Sequence, residues 1–243
     1  LEPDDDYSVS IFQQQAKSLI NQLNDNHVVP ILSGGTGLYV QSLLENYNFN
    51  DIKPNTKLRI ELDELYTEYG VDGLREYAQN LAEKGGIEIK YTDKHRLYRA
   101  IELMTAGDYE SLIKQTKEGL SYKGPVIGLQ RERSDLYDRI NRRVEIMFEK
   151  GLVDEVKQLL KNGVNPNCQA FKGIGYKEVV QYLEGLISYD ACVDLIKKNT
   201  RHFAKRQITW YKRMPYIEWI TIDSQTTEAE IYGMACNIID SSF

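Results

Sequence analysis

The residues best suited to chemistry begin with a glycine-rich turn. An apolar run at positions 28–32 leads into Gly-Gly-Thr-Gly at 34–37, and an apolar helical pattern follows from Leu38. This order predicts a buried strand, a tight loop and a helix. Glycines let a ligand approach the backbone, and the helix start behind them offers free N–H groups to an anion. The turn suits a phosphate, but glycine-rich turns between a strand and a helix are equally common where they only allow close packing. It is not a Walker A loop, because no Gly-Lys-Ser/Thr follows.

A second candidate is a pair of arginines on one helix. Apolar spacing predicts a helix over residues 134–150, on which Arg139 and Arg143 lie one turn apart. Guanidinium groups bind pyrophosphate oxygens in bidentate fashion, so the pair suits a diphosphate. Ordinary ion pairs with the neighbouring Asp and Glu residues are the alternative that the spacing leaves open.

The strongest local charge signal lies in a predicted helix over residues 188–213. Between Leu195 and Ile217 the chain has seven cationic residues and no Asp or Glu, although the whole protein carries a net charge of −6. The seven are Lys197, Lys198, Arg201, Lys205, Arg206, Lys212 and Arg213. A segregated basic surface attracts phosphates in a salt-dependent way, so this helix favours a polyanion site over an ordinary solvated face.

Two further stretches combine cations with helix or turn signals. His95, Arg96 and Arg99 share one face of a predicted helix, where an anion or the neighbouring Glu102 would balance their charge. Residues 171–178 read Phe-Lys-Gly-Ile-Gly-Tyr-Lys-Glu, a second glycine loop entering a helix. Lysines, an aromatic ring and exposed backbone can grip a nucleotide. Spacing alone also allows a solvated helix face and a flexible loop without a ligand.

Composition indicates the broad class of protein. The 243 residues are 42% hydrophobic and 27% charged, which is typical of a globular protein rather than a disordered one. No apolar run approaches the ~20 residues of a membrane span and no signal peptide opens the chain, so we expect a cytoplasmic protein outside the membrane. Cys168, Cys192 and Cys236 are too far apart for a disulfide framework or a C-x-x-C metal site, and we expect reduced thiols.

The order of elements predicts an α/β fold with a helical insertion. Residues 49–120 show amphipathic helical patterns, interrupted at Gly70, and no convincing strand alternation. We therefore predict a helical insertion domain there. The flanking segments, 1–48 and 121–243, would form an α/β core with a parallel sheet. Its strands are expected at 28–32, 125–129 and 216–222.

Five motifs occur in order along nearly the whole chain. They are Gly34-Gly35-Thr36-Gly37-Leu38-Tyr39; His95-Arg96-Leu97-Tyr98-Arg99-Ala100-Ile101-Glu102; Arg139 with Arg143; Gly173-Ile174-Gly175-Tyr176-Lys177; and Thr200-Arg201-His202-Phe203-Ala204-Lys205-Arg206-Gln207-Ile208-Thr209-Trp210. One such motif would not be specific, whereas five in register are. On these motifs the chain resembles the bacterial tRNA dimethylallyltransferases, the isopentenyl pyrophosphate transferase family.

The resemblance implies a prenyltransferase enzyme that modifies tRNA. Members transfer a dimethylallyl group from dimethylallyl diphosphate to N6 of the adenosine 3′ of the anticodon, position 37, in tRNAs reading codons that start with U. Diphosphate is released and Mg²⁺ assists. The implied fold is a P-loop nucleotide-binding core, of the ATP-binding type, with a helical insertion that holds the tRNA anticodon stem-loop. We expect a monomer.

The resemblance also implies roles for particular residues. Thr36 and Arg143 are implied to be catalytic, with Thr36 near the channel where the two substrates meet. Arg139 and Arg143 are implied to bind the diphosphate. The residues implied to face the tRNA are His95, Arg96, Leu97, Tyr98, Arg99, Lys172, Gly173, Ile174, Gly175, Tyr176, Lys177, Arg201, Lys205, Arg206, Gln207, Ile208, Thr209, Trp210, Tyr211 and Lys212.

The chain departs from the family pattern in two places. Members begin with a strand and a loop of the form Gly-x-Thr-x-x-Gly-Lys-Ser/Thr, followed by an Asp that acts on the amine of the target adenosine. The 243 residues contain neither feature. We therefore expect that an N-terminal segment is missing and that this chain alone is inactive. The second departure is Lys-Tyr-Thr-Asp at 90–93, where the family tends to have a Pro-Asn-Asp turn.

Two other functions are compatible with the sequence. A tRNA-binding protein without catalysis would explain the basic helix if the chain is complete. A small-molecule P-loop kinase would explain the glycine turn and the arginine pair, but it explains the acid-free helix poorly. Binding to a stem-loop RNA at moderate salt separates the kinase from the other two.

Overall fold

The computed structural model describes residues 1–5, 7–47, 49, 52, 54–113 and 120–242. The chain divides into two compact units. Unit 1 combines Leu1–Ser42 with Tyr122–Phe243, and unit 2 is Leu43–Ser121. Across these described ranges, no helix is both long enough and apolar enough to cross a membrane.

Helices make up most of the described chain. In order they are α1 (Val9–Asp25), α2 (Gly37–Leu44), α3 (Thr56–Lys84), α4 (Lys94–Thr105), α5 (Glu110–Ile113), α6 (Arg133–Glu149), α7 (Leu152–Lys161), α8 (Tyr176–Leu183), α9 (Tyr189–Tyr211) and α10 (Glu228–Ser242). A short 3₁₀ turn, Ala170–Lys172, precedes α8. The arginine helix predicted over 134–150 is α6, and the basic helix predicted over 188–213 is α9. Both predictions are confirmed to within two residues at each end.

A parallel pair of strands joins two distant parts of unit 1. β1 (Val126–Arg131) runs beside β2 (Ile217–Ile222), paired in register from the first residue of each to the last. Parallel strands need a long crossover between them, and helices α6 to α9 supply it. All three isoleucines of β2 are buried. The parallel sheet with its crossover helices confirms the predicted α/β fold.

The prediction of a buried strand at residues 28–32 is wrong. These residues form an irregular segment, in which Val29 and Ile31 are 82% and 89% exposed. A strand is stable only when its backbone N–H and C=O groups pair with a neighbour. In the residues that the structure describes, the sheet consists of β1 and β2 and provides no partner for this run.

The hydrophobic core of unit 1 forms where α6, α7, α8 and α9 pack together. Its buried members are Val144, Leu152, Val156, Phe171, Val179, Cys192 and Ile196. Cys192 and Ile196 are four residues apart and place one face of α9 in this core. On the surface beside it, Lys197 of α9 pairs with Glu145 of α6, with Nζ 2.7 Å from Oε1. These contacts hold α9 against α6.

Unit 2 is built around α3 and α4. Their buried side chains form one cluster, which consists of Leu58, Leu62, Leu74, Ala78, Ala82, Ile89, Leu97, Tyr98, Ala100, Ile101 and Met104. The helical path of α3 is broken at Gly70, whose backbone (φ 66°, ψ −156°) lies in a region essentially restricted to glycine. The interruption predicted at Gly70 is therefore confirmed. The described residues of unit 2 contain helices and no strand.

Candidate functional site

The glycine turn at 34–37 forms the entry to α2. The carbonyl oxygen of Thr36 accepts hydrogen bonds from the backbone N–H groups of Tyr39 and Val40, at 3.0 and 3.1 Å. These bonds start the helix and leave the Thr36 side chain exposed. Thr36 therefore lies at the positive end of the α2 dipole, where a negative charge is stabilised.

Two of the three glycines in this turn pack against α9. Nε2 of Gln207 donates a hydrogen bond to the carbonyl oxygen of Gly35 at 2.7 Å. A Cβ on Gly35 would lie 2.6 Å from that nitrogen, and a Cβ on Gly37 would lie 2.4 Å from Cδ1 of Trp210. At Gly37 the rigid Trp210 ring leaves no room for a side chain, so packing accounts for this glycine, whereas a Cβ on Gly35 would displace the Gln207 amide from its hydrogen bond. A Cβ on Gly34 would meet no described atom within 4 Å, which leaves the backbone at Gly34 open to a ligand.

The second glycine loop, residues 172–177, is also tied to α9. The Glu178 carboxylate is only 1% exposed and accepts hydrogen bonds from the Gly175 N–H at 2.8 Å and from Nδ2 of Asn199 at 2.7 Å. Lys177 lies 3.5 Å from the same carboxylate. Gly175 has φ 108°, a conformation that residues with a Cβ rarely adopt. One buried acid at the start of α8 thus sets the shape of the loop.

The other residues of this loop differ in exposure. The exposed ones are Lys172, Gly173 and Lys177. Ile174 is half-buried, and the Tyr176 hydroxyl donates a hydrogen bond to Glu155. That hydrogen bond, together with burial, raises the pKa of Tyr176 to about 12. The phenol therefore stays protonated and bonded to Glu155 at neutral pH.

The exposed face of α9 carries cations without acid partners. Lys197 pairs with Glu145, and Nη1 of Arg201 donates to Oδ1 of Asn141. Within the described ranges, the other five cations of the acid-free stretch are exposed and make no ion pair. They are Lys198, Lys205, Arg206, Lys212 and Arg213. The absence of local neutralisation is what a phosphate-binding surface requires.

Helical spacing gives α9 two functional sides. An open depression of about 460 Å³ on the basic side is lined by His202, Lys205, Arg206, Thr209, Trp210 and Arg213. Gln207, Ile208 and Tyr211 are half-buried elsewhere on the helix surface. Trp210 belongs to both sides, because its ring lines the depression and also contacts Gly37. The same helix therefore presents charge outward and holds the turn at 34–37.

Arg139 and Arg143 are exposed on α6, one turn apart. Two of the acids near them on the same helix are engaged elsewhere. Asp135 accepts from Arg131 at 2.7 Å, and Glu145 accepts from Lys197 at 2.7 Å. In the part of the chain that the structure covers, neither Arg139 nor Arg143 makes an ion pair. The alternative of ordinary ion pairs with neighbouring acids is therefore wrong for both, and both guanidinium groups remain available to an anion.

The motif on α4 separates into exposed and buried halves. His95 and Arg96 are exposed, whereas Leu97 is fully buried and Tyr98 nearly so. The Tyr98 hydroxyl donates to Asp63 at 2.8 Å. Arg99 donates from Nη2 to the Ile52 carbonyl oxygen at 2.8 Å and from Nη1 to Glu102. Leu97 belongs to the core of unit 2, so its side chain does not face a tRNA as the resemblance implied.

Glu102 connects the two halves of unit 2. Its buried carboxylate accepts from Nε of Arg59 at 2.7 Å, from the Asn55 N–H at 3.0 Å and from Arg99 at 3.3 Å. Burial alone would raise the pKa of Glu102, but these donors outweigh it and hold the pKa below its ordinary value. Glu102 is therefore the internal anion that the sequence left as an alternative to a phosphate at Arg99.

Metal-binding side chains do not converge in the described residues. No group of three His, Cys, Asp or Glu side chains there is arranged to hold a metal ion. The three cysteines are free thiols, as expected. Burial, assisted by the Glu178 carboxylate, raises the pKa of Cys192 to about 11, so this thiol is inert at neutral pH.

Sequence reasoning missed the two residues that fix the second loop. Glu178 could have been found, because Gly175 and Glu178 have the spacing of a helix capping box. Asn199 gave no local signal, because its contact with Glu178 joins residues on different helices. Gln207 was predicted to face tRNA, and sequence reasoning did not foresee the hydrogen bond from its amide to Gly35.

The fold and the site together define the class of protein. A parallel α/β fold carrying a glycine turn, two unpaired arginines and an acid-free basic helix is suited to bind phosphate groups. The family model described as IPP transferase matches residues 1–214. The chain therefore belongs to the IPP transferase family.

Individual relatives agree with this assignment. The chain is 39% identical over 227 residues to a tRNA dimethylallyltransferase of Clostridioides difficile (strain 630), covering 92% of this chain and 72% of the relative. It is 37% identical over 240 residues to a tRNA dimethylallyltransferase of Natranaerobius thermophilus, covering 98% and 72%. The crystal structure of the full-length tRNA isopentenylpyrophosphate transferase of Bacillus halodurans matches with a TM-score of 0.68 at 33% identity, covering 100% of this chain and 77% of that one. These matches confirm the family resemblance read from the five motifs.

Proposed function

We propose that this chain takes part in transferring a dimethylallyl group from dimethylallyl diphosphate to N6 of the adenosine at position 37 of tRNAs that read codons starting with U. The observation that carries the proposal is the basic face of α9, defined as Lys198, Lys205 and Arg206 on the helix together with Lys212 and Arg213 just after its end. This face has no internal acid partner within the described residues. An uncompensated cationic face attracts a polyanion, and tRNA is the polyanion named for the relatives.

The arginines of α6 serve the leaving group. In the transfer, the C–O bond of dimethylallyl diphosphate breaks and its electron pair leaves with the diphosphate. The N6 lone pair forms the new C–N bond, and N6 gives up one proton. Negative charge grows on the leaving diphosphate, and guanidinium groups positioned beforehand stabilise it. Arg139 and Arg143 fill this role because both are exposed and unpaired in the described chain. Arg143 is the proposed catalytic member of the pair.

The turn at 34–37 supplies the place where the two substrates meet. Thr36 is exposed at the positive end of α2, and Gly34, two residues before it, has open space around its backbone. A phosphate or a base can therefore approach the backbone there. The target adenosine is stacked in the anticodon loop and must be flipped out before N6 can attack.

Binding of the anticodon stem-loop is divided among three exposed surfaces. The basic face of α9 holds the RNA backbone, together with Arg201 and Thr209 at its margin. Lys172, Gly173 and Lys177 of the second glycine loop add contacts beside it. In unit 2, His95 and Arg96 are the exposed members of their motif, and through them residues 49–120 act as the insertion domain that contacts tRNA.

Several finer features belong to the same proposal. Mg²⁺ is proposed on the resemblance, since oxygen ligands such as those of a diphosphate suit this ion, and no step is assigned to it. Nucleotide binding of the ATP type is proposed on the P-loop resemblance alone. The chain acts as a monomer in the cytoplasm, where tRNA is modified.

By themselves, these 243 residues do not transfer the group, because a Gly-x-Thr-x-x-Gly-Lys-Ser/Thr loop and its following Asp are not among them.

The test is binding of an anticodon stem-loop RNA measured by fluorescence anisotropy at several salt concentrations. We expect log K to fall linearly with log salt, and a stem-loop with adenosine at position 37 to bind more tightly than a random duplex of equal length. Salt-independent binding would refute the proposed phosphate contacts, and no binding at moderate salt would refute the proposal and favour a small-molecule kinase. Mass spectrometry of the same RNA after incubation with dimethylallyl diphosphate tests turnover, and a modified adenosine would overturn the expected inactivity of the chain alone.

A further inference from the structure

Helix α9 holds both glycine loops of unit 1 through side-chain amides. Gln207 donates to the Gly35 carbonyl oxygen at 2.7 Å. Asn199 donates to Glu178 at 2.7 Å, and Glu178 accepts from the Gly175 N–H at 2.8 Å. The two amides are eight residues apart, which is about 12 Å along the helix axis. Each loop is thus connected to a defined point on α9.

We propose that Asn199 and Gln207 are positioning residues. Each one holds one of the two glycine loops at a fixed place along α9, the helix proposed to bind tRNA. They act through the loops and make no RNA contact of their own. The inference rests on the proposed function, because the loops matter as parts of a tRNA site. It replaces the role of Gln207 as a tRNA contact, which the resemblance implied.

The case for Gln207 comes from how tightly the turn is packed. Gly35 and Gly37 flank Thr36, and α9 contacts both of them: Gln207 bonds to the Gly35 carbonyl oxygen, and the Trp210 ring lies too close to Gly37 to leave room for a Cβ. Thr36 is therefore fixed on both sides relative to α9. Gln207 is half-buried and its amide nitrogen is already engaged with Gly35. The amide is used to place Thr36 beside the basic face.

The case for Asn199 comes from a buried charge. Glu178 is 1% exposed, and its two carboxylate oxygens are bound separately, Oε2 by Gly175 and Oε1 by Asn199. A buried carboxylate is tolerated only when donors satisfy it. Without Asn199, Oε1 keeps only the longer contact with Lys177, at 3.5 Å. Asn199 therefore fixes Glu178, and Glu178 fixes the loop.

The first experiment compares Gln207→Ala and Asn199→Ala with Gln14→Ala and Asn237→Ala, which remove exposed amides on α1 and α10. Affinity for the anticodon stem-loop RNA is measured across salt concentrations. We expect a loss of roughly fivefold for each α9 variant, with an unchanged slope of log K against log salt, because no phosphate contact is removed. The two controls should bind as the unchanged protein does. Unchanged affinity in either α9 variant would overturn the proposal for that residue.

Hydrogen exchange of the protein without RNA separates positioning from direct contact. Loss of a positioning amide should speed exchange in the matching loop, at 36–40 for Gln207→Ala and at 173–179 for Asn199→Ala. Exchange in the rest of α9 should not change. If affinity falls while loop exchange stays as before, the residue contacts RNA directly and the proposal is wrong. This measurement needs no RNA, so it decides the positioning role even if the chain fails to bind RNA and the proposed function fails.

A reciprocal exchange of groups gives the sharpest check on Asn199. Asn199→Asp alone places two carboxylates at hydrogen-bond distance and should impair RNA binding more than Asn199→Ala. Adding Glu178→Gln supplies an amide that donates to the new carboxylate, while its oxygen still accepts from Gly175. The double variant should recover affinity to within about twofold of the unchanged protein. A double variant as weak as Asn199→Asp would overturn the proposed linkage.

Discussion

Helices α4 and α9 both carry the cations of a proposed tRNA surface, but they use them differently. On α4, Lys94 pairs with Asp63 at 2.8 Å, and Arg99 is bound to Glu102 and to the Ile52 carbonyl oxygen. On α9 and the turn directly after it, the five cations of the basic face make no ion pair in the described chain. Cationic residues in a motif are therefore of two kinds, those that build the protein and those left for a ligand.

The difference follows from where acids are placed in the sequence. The α4 motif ends in Glu102 and faces Asp63 on α3, so internal partners are close. Between Leu195 and Ile217 there is no Asp or Glu, and among the described residues Lys197 alone of these cations pairs with an acid, Glu145 on α6. Removing charges from the paired cluster around α4 should therefore lower stability and leave RNA binding unchanged. Removing charges from the basic face of α9 should weaken RNA binding and leave stability unchanged.

The largest expected effect is on stability, from Glu102→Ala. This change leaves Arg59, Arg99 and the Asn55 N–H without their common acceptor, so we expect unit 2 to lose about 3 kcal/mol of unfolding free energy. Hydrogen exchange of α3 and α4 under native conditions measures it. Glu64→Ala, which removes an exposed acid from α3, is the matched control and should change little. The salt slope of RNA binding should not fall, and a reduced slope would mean that the Glu102 cluster contributes to the RNA surface.

The second effect is on RNA binding, from Lys205→Gln with Arg206→Gln. We expect the affinity for the stem-loop to fall about 30-fold and the slope of log K against log salt to become shallower by about 2. Thermal stability should stay nearly constant, because neither cation is paired. Lys150→Gln with Lys161→Gln removes the same charge elsewhere in unit 1. An equal loss of affinity in that control would show that net charge, and not the α9 face, attracts the RNA.

Smaller effects are expected from two neighbouring cations on α4, Lys94 and Arg96. Lys94 lies 2.8 Å from Asp63 and 4.2 Å from the centre of the Tyr66 ring, so Lys94→Gln should lower stability by about 1 kcal/mol and leave the salt slope unchanged. Arg96 is exposed and, among described residues, makes no ion pair. Arg96→Gln should leave stability unchanged and make the salt slope shallower by about 1. Identical results for the two variants would remove the distinction between structural and ligand-binding cations.

The smallest effect near neutral pH is the titration of Glu102. The folded pKa lies below the ordinary value of 4.5, so ionised Glu102 stabilises the folded state fully above pH 4.5. This contribution is lost as the pH falls through the folded pKa, and it should change by less than about 1 kcal/mol between pH 7 and pH 5. The unfolding free energy should be measured from pH 7 to pH 3. In Glu102→Gln, the loss of stability that comes from protonating Glu102 at acidic pH should be absent. An unchanged pH profile in that variant would contradict the assignment.

Local patterns predicted the helices well because helix signals are contained in short windows. The apolar spacing of Ile140 and Val144 placed α6, and that spacing is satisfied by one core face. The run at 28–32 shows the limit of such reasoning. Its composition suits a strand, but a strand also needs a neighbour, and the partner of a strand is not encoded in the strand itself.

The candidate site was predictable in its charges and not in its connections. The acid-free stretch of α9 is visible in the sequence and lies exposed as predicted. The hydrogen bond from Gln207 to Gly35 joins residues 172 positions apart, and the sequence around neither residue predicts it. Likewise, spacing could not decide whether Arg143 pairs with Glu145, because the actual partner of Glu145, Lys197, lies on another helix.

Gly70 has a consequence for how α3 buries its apolar side chains. In one unbroken helix, Leu74 would point about 120° to 160° away from Leu62 and Leu58, so the two halves of α3 would face different directions. All three leucines are nevertheless in a single core with α4. The break at Gly70 resets the helical phase, which allows two segments with mismatched apolar stripes to share one partner helix. A residue that continued the helix through position 70 would force unit 2 to bury one stripe and expose the other.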